Sequence, residues 1–295
     1  MLLKRILILA SFGVIILFFG FILFFKFYTP QLSESHGKVD AALFVGESEN
    51  QPLIVAFGGS QGGNTWAEEF WSEMRNRFLR DGYAVLSIGY FKTKSTPETL
   101  DRISLDAIHD TIMRVSNHPK IDKNRIALLG SSRGGELVLN LASRYAVFNA
   151  VVALVPPHVT FPSLTPTANT SAWTFMGEEI SHVKIPYKAI GLAIRGESLR
   201  VAEVIFENES KENETIIQVE RINGPVLLVS ARDDAIWPSK YMCDRIVRRL
   251  HDNNFKYYYE HYSFDGGHHD TKKHFKKIFE FLDHHFKHRR DSVRN

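Results

Sequence analysis

Cysteine is nearly absent from this 295-residue chain. Cys243 stands alone, so no intrachain disulfide can form and an apolar core must carry the fold. A surplus of one charge is missing as well. Of 36 basic and 33 acidic residues, Lys4, Arg5 and Lys26 flank an apolar N-terminal run, which leaves 33 of each sign elsewhere. No basic field remains for nucleic acid, and none is expected as a partner. The glycine-rich stretch Gly58–Asn64 lacks the lysine that a phosphate loop needs after its glycines. His268, His269, Asp270 and His274 offer a minor alternative as metal ligands, and His284, His285 and His288 form a second group on a Lys- and Arg-rich segment. Neither has zinc-type spacing with a buried carboxylate base, so no metal and no cofactor is expected.

Long apolar runs are also scarce, with one exception. Ile6–Phe25 is an uncharged stretch of 20 residues, which as a helix spans about 30 Å, the thickness of a bilayer core. It exceeds the apolar segment of a signal peptide, and Lys26-Phe27-Tyr28-Thr29-Pro30 offers no small-x-small cleavage site. Residues 1–30 therefore read as an uncleaved single-pass membrane anchor, inserted through residues 6–25. Lys4 and Arg5 slightly favour an inside N-terminus and a domain of residues 31–295 outside the cytoplasm.

Within 31–295, short apolar runs alternate with helical patterns. Strands are expected at Leu53–Phe57, Ala84–Ile88, Arg125–Leu129, Phe148–Val155, Pro225–Ser230 and Lys256–Tyr262. Helices are expected over Trp66–Arg80, from Thr96-Pro97 through Val115, after Gly134, after Pro238, and from about Asp270 to Lys287. This alternation predicts an α/β fold with a mostly parallel, doubly wound sheet and function at the carboxyl ends of its strands. Between Pro156 and Asn223 the periodicity weakens, and Pro156, Pro157, Pro162, Pro166 and Pro186 interrupt it. That segment reads as an insertion lying over the site as a lid. Asn169, Asn208 and Asn213 sit in N-x-[ST] triplets, and Glu207–Glu214 reads as a solvated edge.

Gly130-Ser131-Ser132-Arg133-Gly134 lies where a strand should turn sharply into a helix. A serine held on such a turn stands clear of the sheet, within reach of a histidine that takes its proton. An acid after a late strand and a histidine after the following one complete the chain order Ser, Asp, His of α/β-hydrolases. Asp233 and His268 fill those places, with Asp234 and His269 as their respective rivals. His268 acts as proton carrier and Asp233 as its orienting partner. The oxyanion is expected to meet the amide of Arg133 and one from the Gly59–Gln61 turn, that of Ser60.

Phe57-Gly58-Gly59, His118-Pro119, Leu128–Leu137, Gly224–Val229 and Arg232–Trp237 together resemble the C-terminal catalytic domain of the acyl-CoA thioesterase and bile acid-CoA:amino acid N-acyltransferase family, over about residues 38–285. The resemblance implies an α/β-hydrolase fold, a Ser132, Asp233, His268 triad, and acyl transfer from a CoA thioester to water or an amine. Two departures stand out. The membrane segment occupies the place of the family's N-terminal β-sandwich domain, and serine replaces the cysteine of amidating members, which points to hydrolysis. The expected activity is thus a serine hydrolase cleaving fatty acyl thioesters through an acyl-Ser132 intermediate. The alternatives are a membrane-anchored carboxylesterase or lipase acting on oxyesters, an acyl-CoA N-acyltransferase, and a membrane-tethered binding protein that keeps the fold without the chemistry. An outward-facing domain favours lipid oxyesters as substrate, and a cytoplasmic one favours acyl-CoA.

Overall fold

A computed structural model describes residues 2–207 and 212–287, so Asn208 and His288 lie outside the described residues. The apolar run forms helix α1 (Leu2–Phe27). Its Lys4–Phe24 stretch is the one helix among the described residues long and apolar enough to cross a membrane, by length and composition.

The remaining chain builds a sheet first and covers it second. Strands β1 (Asp40–Phe44), β2 (Gln51–Phe57) and β3 (Ala84–Gly89) bracket helix α2 (Ser72–Arg80). The short β4 (Ile103–Ser104) leads into α3 (Leu105–Ser116), β5 (Ile121–Ser131), α4 (Arg133–Ala142) and β6 (Ala150–Leu154). After an insertion come β9 (Val226–Ala231), α7 (Ser239–Asp252), β10 (Tyr259–Phe264) and α8 (Phe275–Leu282). Within the insertion lie β7 (Trp173–Phe175), β8 (Glu178–Glu179), α5 (Tyr187–Ile194) and α6 (Ser198–Phe206). The main sheet has seven strands in the order β1-β3-β2-β5-β6-β9-β10, and only the edge strand β1 runs antiparallel.

Period-two alternation decides which layer each residue joins. Leu53, Val55 and Phe57 of β2 and Ile126 and Leu128 of β5 pack with Ile108, Ile112, Leu137, Cys243 and Leu250 of α3, α4 and α7. Ile54, Ala56, Ala127 and Leu129 face the other way, onto Phe78, Phe275, Ile278 and Phe281 of α2 and α8. Both faces of the sheet are therefore buried, as an all-parallel centre requires. Full burial of each such large side chain is worth roughly 1.5–3 kcal/mol.

Two helices begin later than the apolar spacing predicts. Residues Thr65–Ala67 and Glu69–Trp71 form tight 3-10 turns before α2 starts at Ser72. Thr96-Pro97 does not open α3. The Pro97 carbonyl accepts from the Lys92 amide at 2.6 Å, and Ile103–Ser104 are drawn into a parallel pairing with Trp173–Thr174. Ser104 then caps α3, its hydroxyl accepting from the Ala107 amide. The insertion is thus stitched to the body: β4, β7 and β8 form a second sheet, and Trp173 is fully buried in the main core.

Candidate active site

Ser132 stands between the last residue of β5 and the first of α4, with φ 58° and ψ −119°. A non-glycine residue there carries strain of about 1–3 kcal/mol, which the surroundings must impose. They do so through the backbone. The Ser132 amide donates to the Leu154 carbonyl at 2.8 Å, and its carbonyl accepts from the Glu136 amide at 3.1 Å. A Cβ on Gly130 would run into the Gly134 carbonyl, and one on Gly134 into the Gly58 carbonyl. Strand, helix and neighbouring loop can close around the serine only because both side chains are missing.

His268 opens a 3-10 turn after β10 and is buried. Its Nδ1 lies 2.8 Å and 3.0 Å from the two carboxylate oxygens of Asp234. Asp233, expected from the sequence as the orienting acid, is exposed, whereas its rival Asp234 is buried and makes the pairing with His268. The cause is a break in the alternation just past the strand end. The Arg232 and Asp233 amides both donate to the chain leaving β10, to the Phe264 and Gly266 carbonyls, which ends the regular ladder and leaves both side chains exposed. Asp234 then points inward, where its Oδ1 also accepts from the Ile236 and Trp237 amides at 2.9 Å and 3.2 Å. Burial alone raises the Asp234 pKa, yet the bonds from His268, Ser239 and the Ile236 amide outweigh it and hold the carboxyl below its ordinary range.

Ser132 and His268 line one cavity of about 400 Å³, together with Gly58, Gly59, Ser60 and Gln61. Trp66, Phe70 and Trp71 form its aromatic wall. Lys272 donates to the Phe70 carbonyl at 2.8 Å, with its ammonium 4.0 Å from the Phe70 ring centroid. The loop after β2 reaches the nucleophile directly, because a Cβ on Gly59 would lie 3.2 Å from Ser132 Cβ. Ser60 is exposed on this loop. Arg133, as the first residue of α4, has an amide without an intrahelical acceptor. The cavity-lining residues all lie outside 156–223, which differs from a lid placed over the site. The insertion has its own cluster around Val159, Val183 and Ile205, meets α7 where Ala202 packs with Trp237 and Met242, and is bonded to α4 through Thr160, Phe161 and Pro162.

The rival histidine, His269, lines the same cavity as His268, and the other ligand candidates have partners of their own. His269 is exposed, with its ring 5.3 Å from that of His268. Asp270 accepts from the Gly267 amide and from Lys273, and His274 stacks on Phe264 at 4.0 Å. Among the described residues no three His, Cys, Asp or Glu side chains gather as metal ligands. Sequence reasoning missed Trp237, whose indole N–H donates to the Val155 carbonyl at 3.1 Å and whose ring stands edge-on to His268 at 5.4 Å. Val155 itself is strained at φ 42°. It also missed Tyr90, Glu136 and Trp173, buried next to the elbow. A glutamate three residues after an arginine was the only signal, and on a helix that spacing reads as an exposed ion pair.

Parallel sheet, strained serine elbow and a histidine paired with a carboxylate define an α/β-hydrolase. Solved structures agree on the fold. An acylaminoacyl peptidase of Pyrococcus horikoshii superposes with a TM-score of 0.57 at 16% identity, covering 90% of this chain and 42% of that one. An acetyl xylan esterase from Paenibacillus sp. R4 gives 0.54 at 16% identity, covering 84% of this chain and 80% of that one. Residues 103–272 match the family described as BAAT / Acyl-CoA thioester hydrolase C terminal, and the chain belongs to it. Relatives include the Homo sapiens protein named acyl-coenzyme A thioesterase 6, 27% identical over 228 residues covering 72% of this chain and 48% of the relative. The Mus musculus peroxisomal succinyl-coenzyme A thioesterase is 28% identical over 171 residues, covering 54% and 36%. The chain thus spans about half the length, or less, of these relatives.

Proposed function

We propose that this chain is a serine hydrolase of fatty acyl thioesters, with Ser132 as nucleophile, His268 as proton carrier and Asp234 as its orienting acid. The observation that carries the reading is the strained Ser132 sharing one cavity with a histidine whose Nδ1 is held by a buried carboxylate. Ser132 Oγ attacks the thioester carbonyl carbon while His268 Nε2 takes its proton. The carbonyl oxygen gains negative charge and is met by the amides of Ser60 and Arg133. The C–S bond breaks, the thiol leaves with the proton from His268, and an acyl-Ser132 ester remains. Water then gives a proton to His268 and attacks that ester, which releases the carboxylic acid and restores the serine. Names of relatives such as acyl-coenzyme A thioesterase 6 support acyl-CoA as the substrate class.

Residues 1–30 are proposed as a single-pass anchor and 31–295 as the catalytic domain. The helix Lys4–Phe24 supports this by length and hydropathy. Release of CoA from a long-chain acyl-CoA by detergent-solubilised full-length protein, beside Ser132→Ala and a matched oxyester, tests the chemistry. Thioester turnover that falls by several orders of magnitude in the variant is expected. Turnover of the oxyester alone would replace the reading with a lipid esterase, and an unaffected Ser132→Ala would overturn the nucleophile.

A further inference from the structure

The two amides assigned to the oxyanion belong to different elements, a loop after β2 and the first turn of α4. Their relative position must be set by something rigid beneath them, and the interior between them is polar. On the loop side, the Tyr90 hydroxyl donates to the Gly58 carbonyl at 2.8 Å and approaches that of Gly59 at 3.4 Å. Burial raises the Tyr90 pKa, so the hydroxyl keeps its proton and remains a donor. The Tyr90 ring then meets Trp173 at 5.6 Å between centroids.

On the helix side, Trp173 Nε1 donates to Glu136 Oε1 at 2.6 Å, and the Phe161 amide donates to the same oxygen at 2.9 Å. Glu136 Oε2 lies 2.8 Å from Arg133 Nη1, and Arg133 Nη2 donates to the Pro162 carbonyl at 2.8 Å. The guanidinium is flanked by the rings of Phe161 and Trp173, 5.7 Å and 5.9 Å from their centroids. Tyr90, Trp173, Glu136 and Arg133 are between 0% and 4% exposed.

Stability does not account for this choice of residues. A buried ion pair loses several kcal/mol of solvation per charge, and apolar side chains of equal volume commonly do as well or better. What the polar file has that an apolar plug lacks is direction. Each hydrogen bond fixes one atom of the machinery: a loop carbonyl, an indole, a carboxylate, and through Arg133 the first residue of α4. The insertion supplies Trp173, Phe161 and Pro162, three of the contacts.

We propose that Tyr90, Trp173 and Glu136 are positioning residues that hold the Ser60 loop and the Arg133 amide in register for the oxyanion. The proposal rests on the serine hydrolase reading and on Ser60 and Arg133 as donors. Losing one oxyanion donor outright typically lowers kcat about 10²–10³-fold. Loosening one without deleting it is expected to lower kcat about 10–100-fold, on thioester and oxyester alike, with KM nearly unchanged.

The experiment uses Tyr90→Phe and Trp173→Phe, which remove the hydroxyl and the indole N–H respectively, together with Glu136→Gln, all in the full-length protein. Steady-state kcat and KM are measured beside the affinity of a long-chain trifluoromethyl ketone, whose serine adduct carries the oxyanion. The expected result is that inhibitor affinity falls by the same factor as kcat, while the melting temperature of Tyr90→Phe stays within a few degrees of wild type. The double variant Tyr90→Phe/Trp173→Phe should lose less than the product of the single losses, as groups acting as a unit do. Should Glu136→Gln fail to fold, the other two variants decide alone. A kcat within twofold of wild type in both, or a rise in KM at constant kcat, overturns the proposal and leaves the hydrolase reading standing. A wild-type protein that neither turns over ester nor binds the ketone overturns both.

Discussion

Asp234 grips His268 through both carboxylate oxygens, while its neighbour Asp233 faces solvent. Two adjacent aspartates are thus separated by burial and by partner. Asp234→Asn should lower kcat by about 10³–10⁴-fold, as loss of the orienting acid does in this chemistry, and Asp233→Asn should stay within a few-fold of wild type. Equal losses in the two variants would reverse the assignment. Because the folded Asp234 pKa is depressed, its contribution to stability is present above its unfolded value and is lost as pH falls through the lower folded one. Acid unfolding midpoints of wild type and Asp234→Asn measure it.

A second Ser-His-Asp file lies on β9, β10 and α7, and it is expected to be inert. Ser230 Oγ is 2.7 Å from His261 Nε2, and His261 Nδ1 is 3.1 Å from Asp244. Ser230 is fully buried within β9 and sits in an ordinary strand, without the exposed turn that frees a nucleophile. Ser230→Ala should therefore keep kcat within about twofold. A phosphonylating probe should label Ser132 alone in the native protein, as read by peptide mass spectrometry.

Gly134→Ala would press its methyl group into the Gly58 carbonyl. Forced overpacking of this kind costs about 1–3 kcal/mol, and the displaced element is the loop that carries Ser60. A melting temperature lowered by several degrees, with a larger loss in kcat than in KM, is the expected outcome. Wild-type values for both would mean that the elbow is less tightly closed than this geometry requires.

Burial pushes the Glu136 pKa up to about 7, against the opposing pull of Arg133, Trp173 and the Phe161 amide. With the folded value above the unfolded one, the native state binds more protons between about pH 4.5 and 7. Stability supplied by this group therefore declines as pH rises through that window. Glu136→Gln removes the titration, so the gap in melting temperature between variant and wild type should move in the variant's favour from pH 5 to about pH 7.5. A gap independent of pH would show that Glu136 stays ionised throughout.

Strands, layers and the elbow were legible because each rests on local pattern. The unbroken apolar run Leu53–Phe57 announces a strand buried on both faces, and Gly130 and Gly134 around Ser132 announce a turn that only glycines permit. What escaped depends on partners far along the chain. Thr96-Pro97 has the look of a helix start, but Trp173 and Thr174 claim Ile103 and Ser104 for a strand instead. The choice between Asp233 and Asp234 turns on where the alternation of β9 breaks, which is set by the Phe264 and Gly266 carbonyls that accept from consecutive amides. Glu136 is the clearest case, since nothing in its own helix distinguishes a fully buried carboxylate from a solvated one until Trp173 is brought against it.

Trp173 belongs to the insertion by position in the chain and to the main core by packing. A segment keyed into the interior by so large a ring cannot swing aside without unmaking that core. Turnover is therefore expected to need no opening of this segment. Raising solvent viscosity should slow the encounter with substrate and leave the acyl-transfer rate itself unchanged.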